Sequence, residues 1–257
     1  MTTDILVERG ADGVMTIAFN RPEKKNAITS AMYTAMSDAL DDAHDDAAVR
    51  AILVRGSAGV FSAGNDLEDF MKAPPTSDDA PVIRFLRTIS AASKPIVAAV
   101  DGVAVGVGTT LLLHCDLVYA AESAVFSLPF TQLALCPEAA SSLLLPRLAG
   151  YQLAAEKLLL GEPFDAREAH RSGIVNRLLP SSEVDAFAMA QAVKLAALPA
   201  SSLRVTKALM KRAGEAEVSD RIRDEAVHFG KMLISPETRE AITAFFQKRK
   251  PDFRQCD

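Results

Sequence analysis

Two glycine-broken turns and one glutamate hold the residue types that could do chemistry in this chain. The first turn lies in VDGVAVGVGTTLLLHCD at 100–116, where an apolar strand pattern breaks at glycines and restarts as an apolar helix pattern. Gly102, Gly106 and Gly108 allow a sharp bend that approaches a ligand with no side chain in the way. Peptide N–H groups at the start of the following helix have no acceptor within it, so such an end can hold a developing oxyanion. The second turn, FSAGNDL at 61–67, also follows a buried-strand pattern and precedes a helix pattern. Two such turns on adjacent strands can aim two N–H groups at one point, the arrangement that stabilises an oxyanion. Glu138 stands in a CPE turn ahead of SSLLL; position alone reads it as an acidic residue in a helix's first turn, where the dipole favours it. Other candidates offer less. His114 sits in an apolar pattern and reads as a satisfied core histidine, Asp66 reads as a brace of its own turn, and Ser141 and Ser142 have no histidine partner in the sequence.

The elements that position these residues alternate. Segments 5–9 and 14–19 flank Ala11-Asp12-Gly13 as a hairpin. From Thr29 or Ser30, either of which can cap, apolar residues recur at helical spacing through Ala43. Short strands are predicted over 51–55, 95–100, 117–121, 125–128 and 174–179, with a helix over 82–92. The proline-rich stretch KAPPTSDDAP at 72–81 is expected to be a mobile loop and a candidate lid. From Gly150 onward the pattern is mostly helical, with helices predicted over 151–160, 165–171, 182–197, 202–213, 219–233 and 236–248. No internal repeat is visible. The alternation implies an α/β core, and the apolar faces of the C-terminal helices imply oligomerisation.

Composition narrows the function classes. The 257 residues are 49% hydrophobic with a net charge of −5, which disfavours a broad grip on nucleic acid. No apolar run approaches membrane-spanning length and the first residues show no leader pattern, so a cytoplasmic protein is expected. Three unpatterned cysteines, Cys115, Cys136 and Cys256, suggest neither a disulfide framework nor a metal site.

In order along the chain, NRPEKKNAIT, FSAGNDLEDF, KPIVAAVDGVAVGVG, CDLVYAAESAVFSLPF, AREAHRSGIVNRLLP and FFQKRKPDF resemble the crotonase superfamily, the enoyl-CoA hydratase/isomerase family. The resemblance implies an α/β fold, a crotonase-like spiral of ββα turns over 1–196, and a helical C-terminal region over 197–257 for cover and oligomerisation. It implies a homotrimer or homohexamer and a coenzyme A thioester as substrate with no separate cofactor; composition and charge add the expectation of no metal, nucleic acid or membrane. Asn65 and Val107 fall at the family's oxyanion-hole positions, with Gly106 as an alternate. Lys24, Ala63, Gly64, Asp66, Leu67, Phe130, Leu133 and Lys248 fall at substrate-binding positions. For the CoA phosphates, Arg21, Lys25, Arg249 and Lys250 join Lys24 and Lys248.

Hydratases of the family use two glutamates, because water must be both positioned and deprotonated. Those positions are Thr110 and Phe130 here. Glu138, eight residues beyond Phe130, resembles instead the sole base of peroxisomal-type Δ3,Δ2-enoyl-CoA isomerases. One carboxylate suffices for that reaction, since it takes a proton from C2 and returns it at C4. Phe130, Leu133 and Leu135 are expected to surround Glu138 and raise its pKa by desolvation. The rival expectations are hydration or another crotonase reaction, and a CoA-ester-binding protein without turnover.

Overall fold

The computed structural model describes residues 3–72, 74, 77 and 79–256. The chain opens with the expected antiparallel hairpin, β1 (Ile5–Arg9) and β2 (Val14–Phe19), in the register Ile5 to Phe19. Asp12 Oδ1 accepts a 3.1 Å hydrogen bond from Val14 N–H to close its turn. Helix α1 (Ser30–Asp45) starts where Thr29 accepts from Met32 N–H, and its buried face runs through Met32, Tyr33, Met36 and Leu40. Then come β3 (Ala51–Arg55), α2 (Leu67–Lys72) and α3 (Pro81–Ala91), the last with proline in its first turn. The candidate lid at 72–81 falls in part outside the described residues.

Next are β4 (Ile96–Val100), β5 (Val103–Val105) and α4 (Val107–Thr110). The helix predicted after the second glycine turn is thus one short α-turn, continued by a 3-10 turn over Leu111–His114. Asp116 stops it: its N–H donates to Ile96 O and its carboxylate accepts from Ile96 N–H, returning the chain to the sheet. β6 (Leu117–Ala121) and β7 (Val125–Ser127) follow, then α5 (Ser141–Ala149), α6 (Tyr151–Ala155) with a wide π-turn over Glu156–Leu160, and β8 (Phe164–Asp165). α7 (Ala166–Arg171) carries the Asp165 cap that its sequence suggests. β9 (Arg177–Leu179) is shorter than predicted, because Ile174 and Val175 donate to Ala169 O and so belong to the end of α7. The C-terminal helices are α8 (Ser181–Ala197), α9 (Ala200–Lys211), α10 (Glu215–Leu233) and α11 (Pro236–Phe246).

Six strands form one sheet in the order β1-β2-β3-β4-β6-β9, and β5-β7-β8 form a second. Its inner strands β2, β3 and β4 are parallel and almost wholly buried, which is why they read as continuous apolar runs. The chain crosses repeatedly from the large sheet to the small one: β4 leads to β5 and β6 to β7. Ser62, after β3, makes a parallel bridge to Ala104 of β5, so the preceding turn of the chain supplies a rudimentary fourth member of the small sheet. This fold is a crotonase-like α/β spiral. α8 packs on β3, β4 and β6, while α10 packs on α3 and α5. Among the described residues no single helix is long and apolar enough to cross a membrane.

Candidate active site

The Ser62–Ala104 bridge sets the two glycine turns side by side. Ser62 N–H donates to Val103 O and Val105 N–H to Ser62 O, each at 2.9 Å. Gly64 sits at φ +84°, and a Cβ there would stand 2.6 Å from Val105 O. Gly64→Ala is therefore expected to cost at least about 2 kcal/mol, from the left-handed backbone and the collision with a fixed carbonyl. A urea-unfolding midpoint equal to that of the wild type would contradict this. Around Asn65 the neighbouring groups are occupied: Gly64 O accepts from Ile28 N–H at 2.8 Å and Asp66 N–H donates to Ile28 O at 2.9 Å. The Asn65 N–H and the Val107 N–H have no acceptor among the described residues. Gly106 differs. Its N–H donates to Ser127 O at 2.9 Å, so its place as an alternate oxyanion donor is corrected: the β5–β7 pairing consumes that group.

Both turns border a cleft of about 930 Å³, lined by Asn65 and Gly106 together with Lys24, Ala63, Gly64, Asp66, Leu67, Phe130, Leu133 and Leu135. Lys25, Arg249 and Lys250 also border it, but Lys248 does not. Lys248 is instead an exposed residue with φ +53° at the end of the last helical turn. Arg249 is held by Glu240 in two hydrogen bonds of 2.5 and 2.8 Å. Arg21 is likewise engaged: it donates to Asp66 at 2.7 Å and to Ala27 O at 3.0 Å, so it braces the loop rather than reaching for a ligand. Burial opposes ionisation of Asp66, but the Asp69 N–H and the Arg21 guanidinium outweigh it and hold the carboxyl below its ordinary value.

Glu138 does not cap a helix. Two residues in the left-handed region, Ala139 (φ +62°) and Ala140 (φ +55°), separate it from α5, and its carboxyl is turned into the protein at 5% exposure. Burial, and then the charge of Glu225, push its pKa up to about 8, with the Asn65 side-chain amide pulling the other way. Its Oε1 has no hydrogen-bond partner, so one oxygen is free to receive a proton. The carboxyl faces a small internal cavity of about 10 Å³, bordered by Phe70, Val82, Ile83, Leu86, Ile222, Ala226 and Phe229. Phe130, Leu133 and Leu135 belong to the main cleft, so the expected surroundings of Glu138 are corrected: α3 and α10 supply its apolar walls. Phe70 and Phe229 border both spaces and meet edge to face at 6.0 Å between ring centres.

Asn65 joins the two halves of this site. It lines the cleft, while its side-chain amide acts on the Glu138 carboxyl and favours the ionised form. Its Oδ1 accepts from the Tyr33 hydroxyl, which leaves the NH₂ end of the amide for the carboxyl. Burial and the Glu138 charge raise the Tyr33 pKa well above the phenol value, so Tyr33 remains a donor. Tyr33 falls on the core face of α1 and carries no sequence signal beyond that periodicity. Thr110 and Phe130 are buried, and neither can transfer a proton as a carboxyl does. His114 is a satisfied core residue: its Nε2 bonds to Ala139 O at 2.8 Å, and burial lowers its pKa to about 4, so it is neutral near pH 7.

A site of this form can polarise a carbonyl at two N–H groups and move one proton beside it. The sequence profile of the family described as "Enoyl-CoA hydratase/isomerase" matches residues 9–256. The chain is 37% identical over 245 residues to "Enoyl-CoA delta isomerase 2" of Rattus norvegicus, covering 93% of this chain and 62% of that longer protein. It is 34% identical over 252 residues to "Probable enoyl-CoA hydratase echA8" of Mycobacterium bovis, covering 97% of each. A crystal structure of an enoyl-CoA hydratase/isomerase from Pseudoalteromonas atlantica T6c superposes with a TM-score of 0.94 at 41% identity, covering 98% of this chain and all of that one.

Proposed function

Because the chain belongs to the enoyl-CoA hydratase/isomerase family, we propose that it is a Δ3,Δ2-enoyl-CoA isomerase with Glu138 as its single proton carrier. The thioester carbonyl of a 3-enoyl-CoA lies between the Asn65 and Val107 N–H groups, and Ala63, Gly64, Leu67, Phe130 and Leu133 border its approach. Lys24, Lys25 and Lys250 are the nearby cations for the phosphates of the coenzyme. Glu138 takes a proton from C2, the charge spreads into a dienolate whose thioester oxygen the two N–H groups stabilise, and the same carboxyl returns a proton at C4. The hydrogen bonds to that oxygen strengthen as its charge develops, so they favour the transition state over the bound substrate.

The observation that carries this choice over hydration is that, among the described residues beside Glu138, no second carboxylate has a free oxygen, since both oxygens of Glu225 accept hydrogen bonds. Glu138 is buried with a free oxygen, whereas Thr110 and Phe130 offer no second acid or base for water. Purified protein given a 3-enoyl-CoA should develop the ultraviolet absorbance of the conjugated 2-enoyl thioester without auxiliary enzymes. Rapid hydration of a 2-enoyl-CoA with no such conjugation would refute the isomerase. The ionised form of Glu138 is the active base, so kcat/KM should rise with pH to a plateau, with a midpoint near the carboxyl's value of about 8. A profile already flat from pH 5.5 upward, about one unit above an ordinary glutamate, would contradict that assignment.

A further inference from the structure

Glu225 occupies an unexpected place in α10. The buried stripe of that helix is Ile222, Glu225 and Phe229, so a carboxylate stands where the helical period calls for an apolar side chain. Burying a charge is costly unless it is paired, and this one is served by three donors. Its Oε2 accepts from Ala140 N–H at 2.6 Å, and its Oε1 accepts from Ser142 N–H at 3.1 Å and from Ser142 Oγ–H at 2.5 Å. Arg221, one turn earlier, donates to the same Ser142 hydroxyl at 3.1 Å. Helix α5 has no side-chain cap of its own, since its N-cap is Ala140. A local serine or aspartate could cap it. The chain instead uses a residue 85 positions away, and that residue borders the same small cavity as Glu138.

We propose that Glu225 is a positioning residue for the reaction: it fixes the Glu138 turn from α10 and stands as a second negative charge beside the proton carrier. The proposal rests on the reading of Glu138 as that carrier. Burial raises the pKa of Glu225, and the donors on both of its oxygens and the Arg221 charge pull the other way, so Glu225 acts as a fixed acceptor and charge rather than as a second proton shuttle. Ala139 is held from the other side by His114, so the two-residue left-handed turn after Glu138 is clamped between α10 and the 3-10 turn at Leu111–His114. A base held in one place loses less in reorganisation when the α-proton arrives. A carboxylate beside it favours its protonated form, which delivers the proton in the second half of the reaction.

The other polar groups near Glu138 are accounted for. Tyr33 from α1 and Asn65 from the first glycine turn are neutral donors or amides. Cys136, in the same turn as Glu138, has its thiol pushed up to about 11 by burial and the two carboxylates, so it stays neutral. The Arg221 charge acts on Glu225, and Lys207 and Lys211, whose ammonium groups bond to Lys94 O, Asp116 and Ser90 O, act on His114. Glu225 is thus the carboxylate charge whose removal Glu138 should feel.

The test reads Glu138 both with and without turnover. The Glu138 carboxyl is titrated by ¹³C NMR on [¹³C]glutamate-labelled protein, assigned with Glu138→Gln, in the wild type, Glu225→Gln and Glu225→Asp. In Glu225→Gln the Glu138 midpoint should fall by about one pH unit, and the acid limb of kcat/KM should move down with it. Glu225→Asp keeps the charge but withdraws it from the turn. It should retain a raised midpoint while losing about 10-fold or more in kcat, with KM within about twofold. A purely structural Glu225 would lower the melting temperature and leave the Glu138 midpoint in place, and that result in Glu225→Gln overturns the proposal. If Glu225→Gln does not fold, a wild-type kcat in Glu225→Asp overturns it. Failure of the wild type to conjugate a 3-enoyl-CoA would instead sink the isomerase reading, while the titration still reports on Glu225.

Discussion

Glu138→Gln is expected to lower kcat for conjugation of a 3-enoyl-CoA by about three to four orders of magnitude, with KM within about threefold. Glutamine keeps the size and much of the hydrogen bonding of glutamate but cannot accept a proton. In the proposed mechanism both proton transfers of the shift pass through this one carboxyl, and Thr110 and Phe130 provide no substitute. The N–H groups of Asn65 and Val107 remain, so the thioester still binds and its α-proton is still acidified, which is why KM changes little. The measurement is the initial rate of ultraviolet absorbance, with wild type and variant run side by side. Equal rates would remove Glu138 from the mechanism.

The same substitution is expected to stabilise the folded protein in alkali. In the unfolded chain Glu138 ionises at the ordinary value of 4.5, whereas in the folded protein it does so at about 8. Between those values the folded state holds a proton that the unfolded state has lost. Stability therefore falls as pH rises through that window, and is flat below 4.5 and above 8. A difference of this size corresponds to about 3 to 5 kcal/mol withheld from the fold above pH 8. Glutamine has no charge to bury, so Glu138→Gln should be more stable than the wild type by about 3 kcal/mol at pH 8.5 and nearly equal to it at pH 4.5. Urea unfolding of both proteins at the two pH values decides the matter. An equal difference at both would show that packing, and not the buried charge, separates them.

Local patterns carried much of the fold. The hairpin, the Thr29 cap, the strands over 51–55 and 117–121 and the Asp165 cap all depend on residues a few positions apart, and each formed where its pattern stood. The two glycine turns were legible for the same reason. What was not legible depends on pairings between distant segments. Gly106 loses its N–H to Ser127 only because β5 lies against β7, and the helix after it is cut short only because Asp116 finds Ile96. The spiral left no repeat in the sequence because its successive turns are registered by backbone hydrogen bonds, which many side chains satisfy equally. Tyr33 and Phe229 follow ordinary helical periodicity, so nothing distinguished them from core. Glu225 did interrupt its stripe, a charged residue at an apolar position, and that was the one available signal of a buried carboxylate beside Glu138.

Phe70 of α2 and Phe229 of α10, which border both the cleft and the Glu138 cavity, are far apart in the chain. During synthesis the oxyanion turns and Glu138 emerge long before α10 does. Until that helix docks, the glutamate lacks the α10 side of its apolar surroundings and the second carboxylate that shift its acidity, and contacts of such sequence separation form late. On the proposed function, a newly made chain therefore carries its two N–H-bearing turns before it carries a tuned base. Reactivity toward an acidic C–H bond then appears only when α10 has closed over the elements that precede it.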